Sequence, residues 1–127
     1  MEWLSRLSLV ALAFAALACG SVAPSAPVSI DLLTESQPAT ACDDALATGR
    51  LVADPRSGLG LAAQSGERTS VMWPFGYSAV YADDALWLLD AIGTPVAAEG
   101  DVVEMGGGYG QAGLFYACAG SVRRVGS

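Results

Sequence analysis

The fold of this chain is decided by the stretch Val71–Gly108, which reads VMWPFGYSAVYADDALWLLDAIGTPVAAEGDVVEMGGG. Short apolar runs alternate in it with Gly, Pro and Asp, which are the residues that form tight turns. The runs are rich in aromatic and β-branched side chains, and each is too short to be a stable helix. This pattern predicts a series of short strands joined by tight turns.

The flanking segments continue the pattern. Arg50–Ala53 and Leu59–Gln64 are interpreted as strands, and Leu114–Cys118 as the last strong strand. Strands at such regular spacing, with turn residues between them, indicate a sandwich or a barrel. A chain of this size favours the barrel, because closure removes exposed sheet edges. We therefore predict an all-β fold: a small, partly closed, OB-like barrel of about six to eight short antiparallel strands over residues 41–127.

Two segments receive other interpretations. Cys42–Thr48 is interpreted as one helical turn, because its acidic residues stand at the end of a helix that the helix dipole favours. Gly106–Gly110 is interpreted as a flexible hairpin loop or a bulge. Its glycines resemble a phosphate-binding loop, but it lacks the Lys and the following helix that such a loop requires.

The N-terminus has the pattern of an export signal. Leu7–Ala18 is apolar apart from Ser8, and as a helix it would rise about 18 Å, against about 30 Å of hydrocarbon in a bilayer. The alternative is a buried helix of the domain, but a helix that is apolar on all sides has nowhere to pack in so small a domain. We expect residues 1–18 to be a signal peptide.

Two processing sites fit the end of this signal. Ala16-Leu17-Ala18-Cys19 resembles a bacterial lipobox, and the same residues fit the A-x-A site of ordinary signal peptidase. We favour a lipid on Cys19, which would tether the protein to the outer face of the cell membrane; without lipid it would be secreted. Residues 19–40 are then a flexible linker. Within it, Ile30–Leu33 is either linker or a first strand, and we favour linker.

The remaining cysteines are Cys42 and Cys118. Once Cys19 is assigned to the lipid, these two should pair in an oxidising compartment. The alternative is two unpaired buried thiols. A catalytic role for either cysteine lacks a histidine to activate it, since the chain contains none.

The charge of the chain excludes whole classes of partner. Six Lys plus Arg against thirteen Asp plus Glu give a net charge of −7, which disfavours nucleic acid, because its phosphates need a basic surface.

Asp43–Asp44 and Asp83–Asp84 are interpreted as turns or caps, since neighbouring strand residues point to opposite faces. No calcium-loop pattern is present in the sequence. We expect no enzyme activity, no cofactor and no metal.

The chain resembles a group of small bacterial exported proteins and lipoproteins. The resemblance covers most of residues 42–120, and its most specific parts are WPFGYSA at 73–79, LLD at 88–90, EGD at 99–101 and GGG at 106–108. Members often carry Arg at two positions that here hold Val80 and Ala98. The resemblance implies an exported β-domain and brings no activity with it.

Three functions from different classes remain. The first is a non-catalytic, lipid-anchored envelope domain that binds a protein or a cell-wall component. The second is a barrel that binds a small ligand in an aromatic cleft. The third is an enzyme, for which the sequence offers no nucleophile–base pair. The aromatic residues that could form a binding platform, and that could equally form core and rim, are Trp73, Phe75, Tyr77, Tyr81 and Trp87.

Overall fold

The computed structural model describes residues 26–127. These residues form ten strands and one short 3-10 turn, Gln111–Gly113. The strands are β1 (Val28–Ile30), β2 (Ala45–Asp54), β3 (Gly58–Ala62), β4 (Arg68–Met72), β5 (Ser78–Ala82), β6 (Ala85–Leu89), β7 (Pro95–Ala98), β8 (Val102–Tyr109), β9 (Phe115–Ala117) and β10 (Arg123–Gly126). The all-β prediction is confirmed. The predicted signal peptide and Cys19 lie outside the described residues.

Five of these strands close into a barrel in the order β2-β3-β4-β9-β8. Closure occurs because β8 pairs with both β2 and β9. The pair β4–β9 is parallel and the other four pairs are antiparallel. This is the Greek-key topology of an OB barrel. β2, β3 and β4 are consecutive, β8 returns to pair with β2, and β9 lies between β4 and β8. The OB-like barrel is thus confirmed, with one parallel pair that the sequence did not predict.

The other strands lie outside the barrel. β10 pairs with the first three residues of β8, residues 102–104, in front of the part of β8 that pairs with β9. The chain between β4 and β8 forms most of an open sheet of order β1-β5-β6-β7. The inner face of this sheet carries Ala79, Leu88 and Ala97, which are buried in the same core as the barrel residues Leu51, Leu59, Val71, Val103, Met105 and Phe115. The barrel and the open sheet therefore share one core.

The predicted turn at Asp83–Asp84 is present between β5 and β6. Both residues have positive φ, 52° and 60°, as the central residues of a type I′ hairpin turn require. Asp tolerates this conformation better than most residues because its short polar side chain can bond locally. The doublet therefore serves the hairpin.

The prediction that Ile30–Leu33 belongs to a linker is wrong. Ile30 is part of β1 and pairs with Ala79 of β5. The chain then crosses the start of β3 so closely that a side chain on Gly58, which has a φ of 79°, would lie 3.2 Å from the Cα of Leu32. Ile30 and Leu32 pack against the core. These apolar contacts fix a segment that local composition alone would leave extended.

Two further interpretations are corrected. Cys42–Thr48 contains no helical turn, because β2 begins at Ala45 and pairs with β8. Gly106–Gly108 is not a loop but belongs to β8. Here strand pairing on both sides outweighs the low intrinsic preference of glycine for strands.

Candidate functional site

The disulfide between Cys42 and Cys118 is present, with the two Cα atoms 5.6 Å apart. It joins the segment in front of β2 to the residue after β9. Cys42 is exposed, whereas Cys118 belongs to the buried side chains. The bond therefore fastens a surface segment to the end of the barrel.

A cleft of about 680 Å³ lies beside this disulfide. The segment 39–43 lines it, and so do the end of β8 and the loop that follows β8. The end of β9 completes the cleft. The lining side chains able to contact a ligand are Glu35, Asp43, Tyr109, Gln111 and Tyr116.

Two glycines form the floor under two of these side chains. A Cβ on Gly108 would lie 2.8 Å from the Cβ of Asp43, and one on Gly110 would lie 2.6 Å from Cδ2 of Tyr116. Both approaches are closer than any side chain allows. In an extended chain, side chains two positions apart point to the same face, and their Cα atoms are about 7 Å apart. The Asp43 carboxylate and the Tyr116 ring thus lie next to each other over one face of the chain.

Tyr109 lies at the end of β8, and its pairing with Phe115 puts its ring on the opposite face of the strand from the ring of Tyr116. Its side chain is 67% exposed, although it packs edge-on against the buried ring of Phe115, with the centroids 5.2 Å apart and the planes at 80°. An edge-to-face contact of this kind orients a ring. Tyr109 therefore presents a positioned aromatic surface to solvent.

The loop after β8, which carries one side of the cleft, is braced by the loop between β2 and β3. Arg56, in the loop between β2 and β3, donates a hydrogen bond of 2.6 Å from Nη1 to the carbonyl oxygen of Ala112. Ala112 has a φ of 58°. The bond links the β2–β3 loop to the β8–β9 loop, and these two loops flank the ligand-binding region of OB barrels.

The aromatic residues that the sequence singled out are not brought together. Trp73 is fully buried, and its Nε1 donates a 2.9 Å hydrogen bond to the carbonyl oxygen of Leu59. Tyr77 is buried and stacks on Trp73, with the ring centroids 6.5 Å apart. Burial, together with the negative charge of Asp90, raises the pKa of the Tyr77 hydroxyl. These two rings belong to the core.

The other three candidates lie apart from the cleft as well. Phe75 and Tyr81 are exposed. Trp87 is half-buried on β6, and its Nε1 donates to the carbonyl oxygen of Ala82. None of the five predicted residues lines the cleft beside the disulfide. The sequence signal that could have found this cleft is Tyr109 between glycines, since a large ring flanked by glycines is readily exposed.

Asp54 is a buried carboxylate outside the cleft. It accepts hydrogen bonds from the Ser57 amide at 2.8 Å, the Ser57 hydroxyl at 2.7 Å and the Ser70 hydroxyl at 2.8 Å. Burial alone would raise the pKa of Asp54, but the hydrogen bonds outweigh it and the pKa lies below its ordinary value. The satisfied carboxylate closes the turn between β2 and β3 and ties it to β4.

Residues 26–127 contain no cluster of three metal-ligating side chains. No helix within that range is long and apolar enough to cross a bilayer. Comparison of the chain with protein-family models, curated proteins and solved structures found no match.

Proposed function

We propose that this chain is a non-catalytic, lipid-anchored module of the bacterial cell envelope that binds a cell-wall glycan in the cleft beside the Cys42–Cys118 disulfide. The observation that supports it most is the Tyr116 ring next to the Asp43 carboxylate, in a cleft that Gln111 also lines. A sugar ring offers an apolar face for stacking and hydroxyl groups for hydrogen bonds, so both kinds of group would be used.

The topology narrows the class of ligand. OB barrels bind oligonucleotides and oligosaccharides through the face of their second and third strands and through two loops, and one of these loops, β8–β9, lines the cleft. An oligonucleotide would bring phosphates to a protein of net charge −7 and to a cleft whose charged lining residues are Glu35 and Asp43. Binding of nucleic acid requires neutralisation of phosphates by Lys or Arg. The oligosaccharide is therefore the ligand class that the charges favour.

The anchored location is proposed from the sequence of residues 1–19. A lipid on Cys19 would hold the domain at the membrane surface, next to the cell wall of the same envelope. The ten residues from Cys19 to Val28 span at most about 36 Å when extended. This distance would keep the cleft close to the wall side of the membrane.

The alternative of a small-ligand pocket formed by Trp73, Tyr77 and Trp87 has lost its support. Two of the three rings are buried in the core, and one of them already uses its polar atom on Leu59. A ligand could reach them only by opening the barrel. The cleft beside the disulfide needs no such opening.

The test is titration calorimetry of the full processed chain, in detergent, with a tetramer of N-acetylglucosamine. Tyr116→Ala should weaken binding by about tenfold, since it removes a stacking surface. Tyr81→Ala is the matched control, because it removes a tyrosine ring that is also accessible to solvent but lies on the open sheet. Equal losses in the two variants, or no heat with any glycan of the wall, would reject the proposed function.

A further inference from the structure

The two residues of the Cys42–Cys118 disulfide differ in their access to solvent. Cys42 is exposed, whereas Cys118 is only 8% exposed. Both residues line the cleft beside the barrel. A molecule that enters the cleft therefore approaches the bond from the side of Cys42.

The segment 36–42 is held against the barrel mainly by this bond. It belongs to no strand, and among the backbone hydrogen bonds of the turns and loops within residues 26–127, none includes it. The chain is fixed on either side: the Glu35 amide donates to the carbonyl oxygen of Trp73 at 2.9 Å, and Ala45 begins β2 opposite Gly107. The disulfide thus fastens a segment that has fixed ends and no backbone bonds of its own.

The barrel itself is closed without the disulfide. Its closure depends on the pairing of β8 with both β2 and β9. Cys118 is also held by its backbone, since its amide donates to the carbonyl oxygen of Gly106 at 2.9 Å. Cleavage of the S–S bond would therefore release the segment 36–42 and leave the strands paired.

The chemistry of exchange favours attack at the accessible sulfur. A thiolate attacks one sulfur of a disulfide and displaces the other, and exposed disulfides are more readily exchanged than enclosed ones. Attack on Sγ of Cys42 forms a mixed disulfide there, and Sγ of Cys118 leaves as a thiolate that takes up a proton from water. A second thiol of the attacking molecule then displaces Cys42. The attacking dithiol ends as a disulfide, and both cysteines end as thiols.

We propose that the Cys42–Cys118 bond is a thiol-exchange site, at which a protein dithiol attacks Cys42 and reduction releases the segment 36–42 from the cleft. Cys42 carries the mixed disulfide and Cys118 is the leaving thiol. The exchange stands apart from the proposed function, but its consequence rests on it: because residues 39–43 line the cleft, their release should weaken glycan binding.

The first test identifies the sulfur that is attacked. The folded, full processed chain is treated with reduced glutathione, free thiols are blocked with N-ethylmaleimide, and tryptic peptides are sequenced by mass spectrometry. Cleavage after Arg50, Arg68 and Arg123 separates Cys42 from Cys118. Glutathione on Cys42 should exceed glutathione on Cys118 by about tenfold, because access selects the sulfur. In concentrated urea, which exposes both sulfurs, this ratio should approach one.

The second test measures the release. After reduction with dithiothreitol, endoprotease Asp-N should cut at Asp43 and Asp44 about tenfold faster than in the oxidised chain, because cleavage follows local opening. Asp54 and Asp101, which are partly or fully buried, should stay protected in both states. The variant with Cys42→Ser and Cys118→Ser is the matched control, since it should behave as the reduced chain does with or without dithiothreitol.

The outcomes separate this inference from the proposed function. Glutathione mainly on Cys118, the same ratio in folded and urea-treated chain, or no exchange in the folded chain would overturn the exchange site. Equal cleavage of the reduced and oxidised chains, or loss of protection at Asp54 and Asp101 on reduction, would overturn the release. Absence of glycan binding in both redox states, with exchange at Cys42 observed, would reject the proposed function alone.

Discussion

Cys42 and Cys118 form a bond that is at once a crosslink of the fold and a wall of the cleft. The exposed member of the pair lies next to Asp43, and the buried member lies two residues after Tyr116. The same covalent bond therefore links the segment that carries Asp43 to the strand that carries Tyr116. Stability and recognition are coupled at this point of the chain.

Replacement of both cysteines by serine should lower the free energy of unfolding and also weaken glycan binding. The two residues are 76 positions apart, and chain entropy gives roughly 4–5 kcal/mol as an upper value for a crosslink of this span. Urea unfolding of the wild type and the variant, each with and without reductant, measures the effect. Reductant should move only the wild-type transition. An unchanged midpoint in the double variant would contradict the prediction.

The lowered pKa of Asp54 predicts how the stability of the fold depends on pH. Its pKa is lower in the folded chain than in the unfolded chain, so the carboxylate stabilises the fold above the ordinary Asp pKa of about 3.9. That contribution is lost as the pH falls through the folded value, because the unfolded state takes up the proton first. Asp54→Asn should lower the free energy of unfolding by about 1–3 kcal/mol at neutral pH. The free energy of unfolding of this variant should also fall less steeply than that of the wild type as the pH is lowered.

The control for this prediction is Asp84→Asn, which changes an exposed turn residue by the same chemistry. Urea midpoints of the three proteins at pH 7 and at pH 3 give the comparison. The wild type and Asp84→Asn should lose stability in parallel on acidification, and Asp54→Asn should lose less. Parallel losses in all three proteins would show that other carboxylates account for the acid limb.

Trp73 and Trp87 should respond differently to the same substitution. Trp73→Phe removes a fully buried indole and its hydrogen bond to Leu59, and we expect a loss of about 1–3 kcal/mol. Trp87→Phe, on a half-buried ring, should cost less than about 1 kcal/mol.

Glycan binding by these two folded variants completes the experiment. Since neither ring lines the cleft, both variants should bind with wild-type affinity at a temperature where they are folded. Loss of binding in Trp87→Phe alone would indicate that the ligand binds at the open sheet and not in the cleft. Equal stability losses in the two variants would contradict the burial difference between them.

The barrel was predictable because its strands carry local signals. The alternation of Leu59 and Leu61 with small residues, and the apolar runs after Val71, indicate strands without any knowledge of their partners. The disulfide followed from the count of cysteines and the compartment. The parallel pairing of Val71 with Phe115 could not be read in this way, because parallel partners are distant in sequence and leave no turn between them.

The candidate site escaped prediction for a related reason. Gly108 and Gly110 belong to the site only because the side chains of Asp43 and Tyr116 pack onto them. In the sequence alone, these glycines resemble a flexible loop. The predicted aromatic platform grouped residues by nearness in the sequence, whereas the fold buries Trp73 and exposes Phe75 only two positions later. β1 was missed because a short edge strand depends on its pairing with β5 and on the core beneath it.

The last prediction concerns Cys19, and intact mass of the protein from its native host measures it. Processing and lipidation should give the mass of residues 19–127 plus lipid, and reduction should add two hydrogens at Cys42 and Cys118. A Cys19→Ala variant should lack the lipid and leave the membrane fraction, while its domain keeps the same disulfide. A mass of residues 19–127 without lipid would indicate ordinary signal peptidase and a secreted protein. An unprocessed mass with free thiols would reject export itself, since the pairing of Cys42 with Cys118 depends on an oxidising compartment.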